Sequence, residues 1–110
     1  MSNYARGAAF ERRVQSLMEQ LGYCTIRSSG SHSPADIWCA KRDKPLLLIQ
    51  CKISGYVGVH EWNEFYDFCN QAGARPIVAE KVRGGAVYRE ITGKKSGAHK
   101  AQPWEVITIE

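Results

Sequence analysis

The 110-residue sequence lacks any long hydrophobic run, and its four cysteines include no closely spaced pair. The longest apolar runs, PLLLI among them, are far shorter than the about 20 residues that a membrane-spanning helix needs, so we expect no membrane partner. The first residues, MSNYARGAAFERR, hold no apolar signal core, which favours a cytoplasmic protein. Three of the cysteines fall in strand-like segments, which favours small buried side chains over a zinc site or disulfides.

The sequence also lacks internal repeats and linker-like segments, so we expect residues 1–110 to form a single domain. Its formal net charge is +4, and all of that excess lies in residues 1–52, where eight Lys/Arg stand against four Asp/Glu. Residues 53–110 are neutral overall. A basic half of this kind is typical of a face that binds a polyanion, although many basic proteins bind none.

Hydrophobic spacing and turn residues predict the order α-β-β-β-α-β-β-β. The near-continuous run LLLI marks the third strand as central and covered on both faces. The fold class is therefore α/β, with a mixed central β-sheet flanked by helices. We expect the Gly/Lys-rich segment 93–103 to be mobile. The predicted helices are 5–21 and 60–72, and the predicted strands are 23–27, 35–41, 46–52, 75–82, 86–92 and 104–109.

The apolar third strand ends in polar residues. Polar side chains are unfavourable in a buried strand unless a functional site lies at its edge. Gln50 and Lys52 project from one face of that strand and Cys51 from the other. Asp36, in the neighbouring strand, shares their face only if it pairs with Gln50 or Lys52. A functional site here therefore predicts an odd number of residues in the connection, or a bulge.

With that register, one sheet face gathers a carboxylate, an amide oxygen and an ammonium group. Glu11, on the margin of the apolar stripe of the first helix, can add a second carboxylate. Oxygen ligands with open water positions suit Mg²⁺, and a nearby lysine can offset charge on a phosphoryl oxygen. Taken singly, Glu11 is an ordinary boundary residue, Asp36 a turn residue, and Gln50 and Lys52 solvated strand ends.

The motifs GAAFERRV, RSSGS, PAD and IQCK, in this order, resemble the PD-(D/E)XK nuclease superfamily. More narrowly, the chain resembles the archaeal-type Holliday-junction resolvases, with the strongest similarity over residues 4–56. The resemblance implies the restriction-endonuclease-like fold and a small homodimeric endonuclease that cuts four-way DNA junctions by paired nicks. It also implies dependence on Mg²⁺, for which Mn²⁺ would substitute.

The resemblance assigns roles to individual positions. Glu11 matches the helix glutamate of the family, Asp36 its metal-binding aspartate and Lys52 its catalytic lysine. The main-chain carbonyl of Cys51 matches a metal ligand. Ser31 falls in the loop where these resolvases place a serine near the scissile phosphate.

Gln50 departs from the family pattern, which has glutamate there, and we expect it to contribute a neutral oxygen to the metal. The departure leaves two other functions open: a weakened or inactive DNA-binding protein on a nuclease fold, and a restriction-type endonuclease related to modification-dependent enzymes. Gln50→Glu is predicted to lower the Mg²⁺ concentration that cleavage requires. The expected phosphate contacts are mostly basic residues of the first half: Arg6, Arg12, Arg13, Arg27, His32, Lys41 and Arg42.

Overall fold

The structure is a computed structural model that describes residues 2–28, 33–97 and 102–110. Six strands form one sheet in the order in which they occur along the chain, and all neighbours are antiparallel except the third and fourth. The second helix connects this parallel pair, as parallel neighbours require a crossover. The predicted mixed sheet and the α/β class are thus confirmed. The elements are α1 Asn3–Gln20, β1 Cys24–Arg27, β2 Ile37–Ala40, β3 Leu47–Lys52, α2 Val59–Ala72, β4 Arg75–Val82, β5 Gly85–Ile91 and β6 Trp104–Ile107.

Helix α1 begins two residues earlier than the apolar spacing predicts because Ser2 caps it. The Ser2 hydroxyl accepts a hydrogen bond from the backbone N–H of Ala5 at 3.1 Å, which satisfies a free amide of the first turn. The helix ends before Gly22, whose φ of 95° is left-handed and costs a glycine little. Its buried stripe includes Phe10, Val14 and Met18 and packs against one face of the sheet, whereas Leu21, which continues the same apolar spacing, is 39% exposed at the helix end.

The pairing of β2 with β3 has the register that a site at this edge requires. Ile37 pairs with Ile49 and Cys39 with Leu47. Continuing this register at the turn end leaves five residues, 41–45, in the connection. At the other end Asp36 lies beside Ile49 and Cys51, since its N–H donates to the Ile49 carbonyl and its carboxylate accepts from the Cys51 N–H. The predicted odd connection is confirmed. Asp36 therefore precedes β2 at the point where β3 approaches its carboxyl end.

Strand β3 is central and is covered on both faces, as its apolar run predicts. Leu47 and Ile49 pack on the α1 side, in the cluster that holds Phe10 and Val14. Leu48 packs on the other side with Trp62 of α2. Alternation then places Gln50 and Lys52 on the α2 face and Cys51 on the α1 face.

Contacts with α2 bear on the segment expected to be mobile, whose mobility stays a prediction: the Trp62 indole N–H donates to the Gly93 carbonyl at 2.9 Å, and Asn63 exchanges two hydrogen bonds with the backbone of Lys95. Residues 98–101 of that segment lie outside the described residues. Among the free cysteines, the expectation of burial is wrong for Cys24, which is exposed because β1 is an edge strand, whereas Cys39 and Cys69 are buried.

Among the described residues, no helix is long and apolar enough to cross a membrane. The longest, α1, has 18 residues and carries charged side chains along its exposed side. Both helices instead cover the two faces of the sheet.

Candidate functional site

Asp36 lies at the edge of the sheet, one residue before β2 begins. Its backbone N–H donates to the Ile49 carbonyl at 2.9 Å, and its Oδ2 accepts a hydrogen bond from the Cys51 N–H at 2.8 Å. The Asp36 carboxylate therefore accepts the Cys51 N–H of β3, as a backbone carbonyl of a neighbouring strand would. Burial raises the pKa of Asp36 to about 6, the Cys51 hydrogen bond opposes that rise, and Glu11 adds to it. Burial makes the ionised form of this carboxyl group unfavourable, and a cation bound beside it would stabilise that form.

Gln50 is the buried polar residue of the described core, with 3% of its surface exposed. Its Nε2 donates to the Pro34 carbonyl at 2.8 Å, which fixes the orientation of the amide because a carbonyl oxygen can only accept. Its Oε1 is buried and has no hydrogen-bond partner among the described residues. A buried amide oxygen without a partner costs about 1–3 kcal/mol, so this oxygen requires a ligand, an ion or a water.

Lys52 is the last residue of β3, and its ammonium group lies 2.6 Å from Oε1 of Glu61. Glu61 stands in the first turn of α2, which follows β3 after a six-residue connection. The sequence reasoning missed Glu61 as a site residue. Its signal was available: an acidic residue in the first turn of the helix that follows the site strand must lie near the carboxyl end of that strand.

Glu11 reaches the site from the opposite side of the sheet. The expectation that Glu11 approaches from the face of Gln50 is wrong, because α1 packs on the face of Cys51. The Glu11 carboxylate binds Arg27 of β1 at 3.1 Å. It also raises the pKa of both Asp36 and Cys51, so it is close enough to repel the Asp36 carboxylate. Glu11 and Gln50 thus flank Asp36 from the two faces.

The chemistry of the donors fits a hard divalent cation. Within residues 2–28, 33–97 and 102–110, no three His, Cys, Asp or Glu side chains converge as a metal-binding group. Mg²⁺ needs no such group, since it is held by one or two carboxylates and keeps several waters. Asp36, the unpartnered Oε1 of Gln50 and the Cys51 carbonyl are the groups that would hold it. In a strand, the carbonyl and N–H of one residue point the same way, so the Cys51 carbonyl lies on the side of Asp36.

The remaining predicted residues differ in what surrounds them. Arg6 and Arg13 are exposed on α1 and, with Lys81 of β4, line a cavity of about 320 Å³. Arg12 and Arg42 are also exposed, and Arg27 is occupied by Glu11. The Lys41 ammonium donates to the Leu21 carbonyl at 2.7 Å and lies over the Tyr23 ring, which fixes it beside the end of α1. Ser31 and His32 lie outside the described residues.

Comparisons with known proteins show the family to which the chain belongs. Residues 2–103 match the family model described as archaeal Holliday junction resolvase (Hjc). The chain is 30% identical over 89 residues to the crossover junction endodeoxyribonuclease Hjc of Methanocaldococcus jannaschii, over 77% of this chain and 65% of that protein. The chain thus aligns with somewhat less than two thirds of that relative's length.

A solved structure gives the same result for the fold. The 1.6 Å structure of Hjc from Archaeoglobus fulgidus, a Holliday junction resolvase from an archaeal hyperthermophile, superposes with a TM-score of 0.63 at 25% identity. The superposition covers 77% of this chain and 70% of that one. The family model spans nearly all of the sequence, including each element that positions the site. The chain therefore belongs to the archaeal Holliday junction resolvase family.

Proposed function

We propose that this protein is a Mg²⁺-dependent endonuclease that resolves four-way DNA junctions by paired, symmetric nicks. One observation carries the proposal: the Asp36 carboxylate accepts a hydrogen bond from the Cys51 N–H, between Gln50, whose buried Oε1 has no partner, and Lys52 on the same strand. Family membership supports action on Holliday junctions, because one relative is named a crossover junction endodeoxyribonuclease and the other a Holliday junction resolvase.

The residues divide the chemistry of phosphodiester hydrolysis between them. Asp36 and Gln50, with the Cys51 carbonyl, would hold Mg²⁺, and Glu11 adds negative charge from the other face. When bound, Mg²⁺ would act as a Lewis acid on the scissile phosphodiester. Lys52 places a positive charge beside this position, where it can orient a water and offset the charge that develops on a phosphoryl oxygen. Mn²⁺ has similar ligand preferences and should substitute.

DNA binding would come from the basic half of the chain. Arg12, Arg13 and Arg42 are exposed, and among the described residues none of them has a carboxylate within ion-pair distance. Contacts from such groups to phosphates fix the position of a protein on DNA and weaken as salt rises. Recognition of a branched shape requires two centres at a fixed separation, and a twofold homodimer supplies them. A cytoplasmic location stays a prediction from the sequence.

The proposal is tested with a labelled four-way junction and a linear duplex of the same arm sequences, each with Mg²⁺ and with EDTA. We expect symmetric nicks in the junction with Mg²⁺ only, and no cutting of the duplex. Lys52→Ala should abolish the nicks, whereas Lys44→Ala, an exposed lysine of the β2–β3 connection, should not. Binding without cutting would instead support an inactive DNA-binding protein, and duplex cleavage a restriction-type nuclease.

A further inference from the structure

We propose that Glu61 is a positioning residue that holds the Lys52 ammonium at the reacting phosphate; this inference rests on the proposed function. The two charged groups lie 2.6 Å apart, and they belong to different elements, the end of β3 and the first turn of α2. A lysine side chain has four flexible carbon–carbon bonds and a point charge, so it has no defined position without a partner. An anion fixed on a helix supplies that position.

No other described carboxylate lies within ion-pair distance of Lys52. Gln50, its neighbour on the same face, is neutral, and its amide is held by the Pro34 carbonyl. Asp36 accepts a hydrogen bond from the Cys51 N–H. The orientation of Lys52 therefore depends on Glu61 of α2. The buried side chain of Trp62, the next residue, anchors this part of α2 to the sheet.

A purely local role for Glu61 would be interaction with the helix dipole, since acidic residues are favourable in the first turn. Glu61 does occupy that turn, and Gly58 caps the helix without a side-chain hydrogen bond. The carboxylate is nonetheless directed to the strand, where it meets the ammonium group of Lys52. Glu64, one turn later, provides the matched comparison because it is exposed and interacts with His60 of the same helix at 3.4 Å.

The test uses the full chain with Glu61→Gln, which keeps the shape of the side chain and removes its charge. We expect single-turnover cleavage of a four-way junction to slow by about tenfold or more, since misplacement of a reacting group has effects of this size. The dissociation constant for the junction should change little, because the lost interaction acts on the cleavage step. Glu64→Gln should cut and bind as the wild-type protein does.

A second readout does not depend on activity. In protein labelled at lysine side chains, the ¹³Cε and ¹⁵Nζ resonances of Lys52, assigned with Lys52→Ala, should shift in Glu61→Gln and stay in place in Glu64→Gln. Wild-type cleavage rates in Glu61→Gln, faster cleavage, or an unchanged Lys52 resonance would each overturn the proposal. If the wild-type protein cuts no junction, the proposed function fails, and the resonances still decide whether Glu61 positions Lys52.

Discussion

Replacing Asp36 with asparagine should make the metal-free protein more stable at neutral pH. The change is nearly isosteric, and an asparagine oxygen can still accept the hydrogen bond that the Cys51 N–H donates to Oδ2 at 2.8 Å. What disappears is a buried negative charge that Glu11 repels. The substitution thus removes the electrostatic cost of the site while keeping its backbone contact.

The pKa of Asp36 gives both the sign and the size of the effect. Burial raises this pKa to about 6, whereas an aspartate in an unfolded chain has a pKa of about 3.9. The folded state therefore binds this proton more tightly, so the contribution of Asp36 to stability is most favourable below pH 4, falls between pH 4 and pH 6, and stays unfavourable above that range. The two values differ by enough to cost about 2–3 kcal/mol at pH 7.5. The variant should escape this loss.

Urea unfolding in EDTA, at pH 4 and at pH 7.5, measures this difference between wild type and Asp36→Asn. We expect the variant to gain about 2–3 kcal/mol relative to wild type on going from pH 4 to pH 7.5. Mg²⁺ in place of EDTA at pH 7.5 should stabilise the wild type by about 2.7 kcal/mol at a hundredfold excess over its dissociation constant, and the variant by much less. A difference between the two proteins that does not change with pH would refute the reasoning.

Other predictions follow from the same site. Asp36→Asn and Lys52→Ala should each abolish junction cutting and leave binding largely intact in a gel-shift assay; near wild-type cutting by either would show that the assigned site is wrong. Gln50→Ala should raise the Mg²⁺ concentration for half-maximal cleavage or abolish activity, and an unchanged titration would make Gln50 an ordinary strand end. Gln50→Glu should lower that concentration but cost the metal-free fold about 1–3 kcal/mol in urea unfolding, because a carboxylate oxygen would face the Pro34 carbonyl. Sedimentation at micromolar concentration should give about twice the 12.3 kDa of one chain, and a monomer that makes paired cuts would contradict the dimer.

The sequence predicted most of the fold because its signals were local or alternated along a strand. The 3.6-residue spacing of Phe10, Val14 and Met18 depends on one helix alone, and the structure buries all three. The register of β2 and β3 was also accessible, since side chains alternate with a period of two. For Asp36 and Gln50 to lie on one face of the sheet, odd-numbered residues of β2 must pair with odd-numbered residues of β3. The observed register, in which Ile37 pairs with Ile49, meets this condition.

Two features of the site depend on how the helices pack and not on any single segment. They are the side of the sheet from which Glu11 approaches and the partner of Lys52. A helix stripe specifies which residues are buried, but not which face of the sheet covers them. The orientation of Gln50 has the same origin, because the Pro34 carbonyl that fixes it lies 16 residues away in the chain. Under the proposed function, these contacts would let a neutral residue serve at this position. The carbonyl of Pro34 takes the amide N–H of Gln50 and leaves its Oε1 as a free acceptor. Glu11 and Glu61, which pair with Arg27 and Lys52, both raise the pKa of Asp36, so they would add negative charge near a bound cation from two other elements.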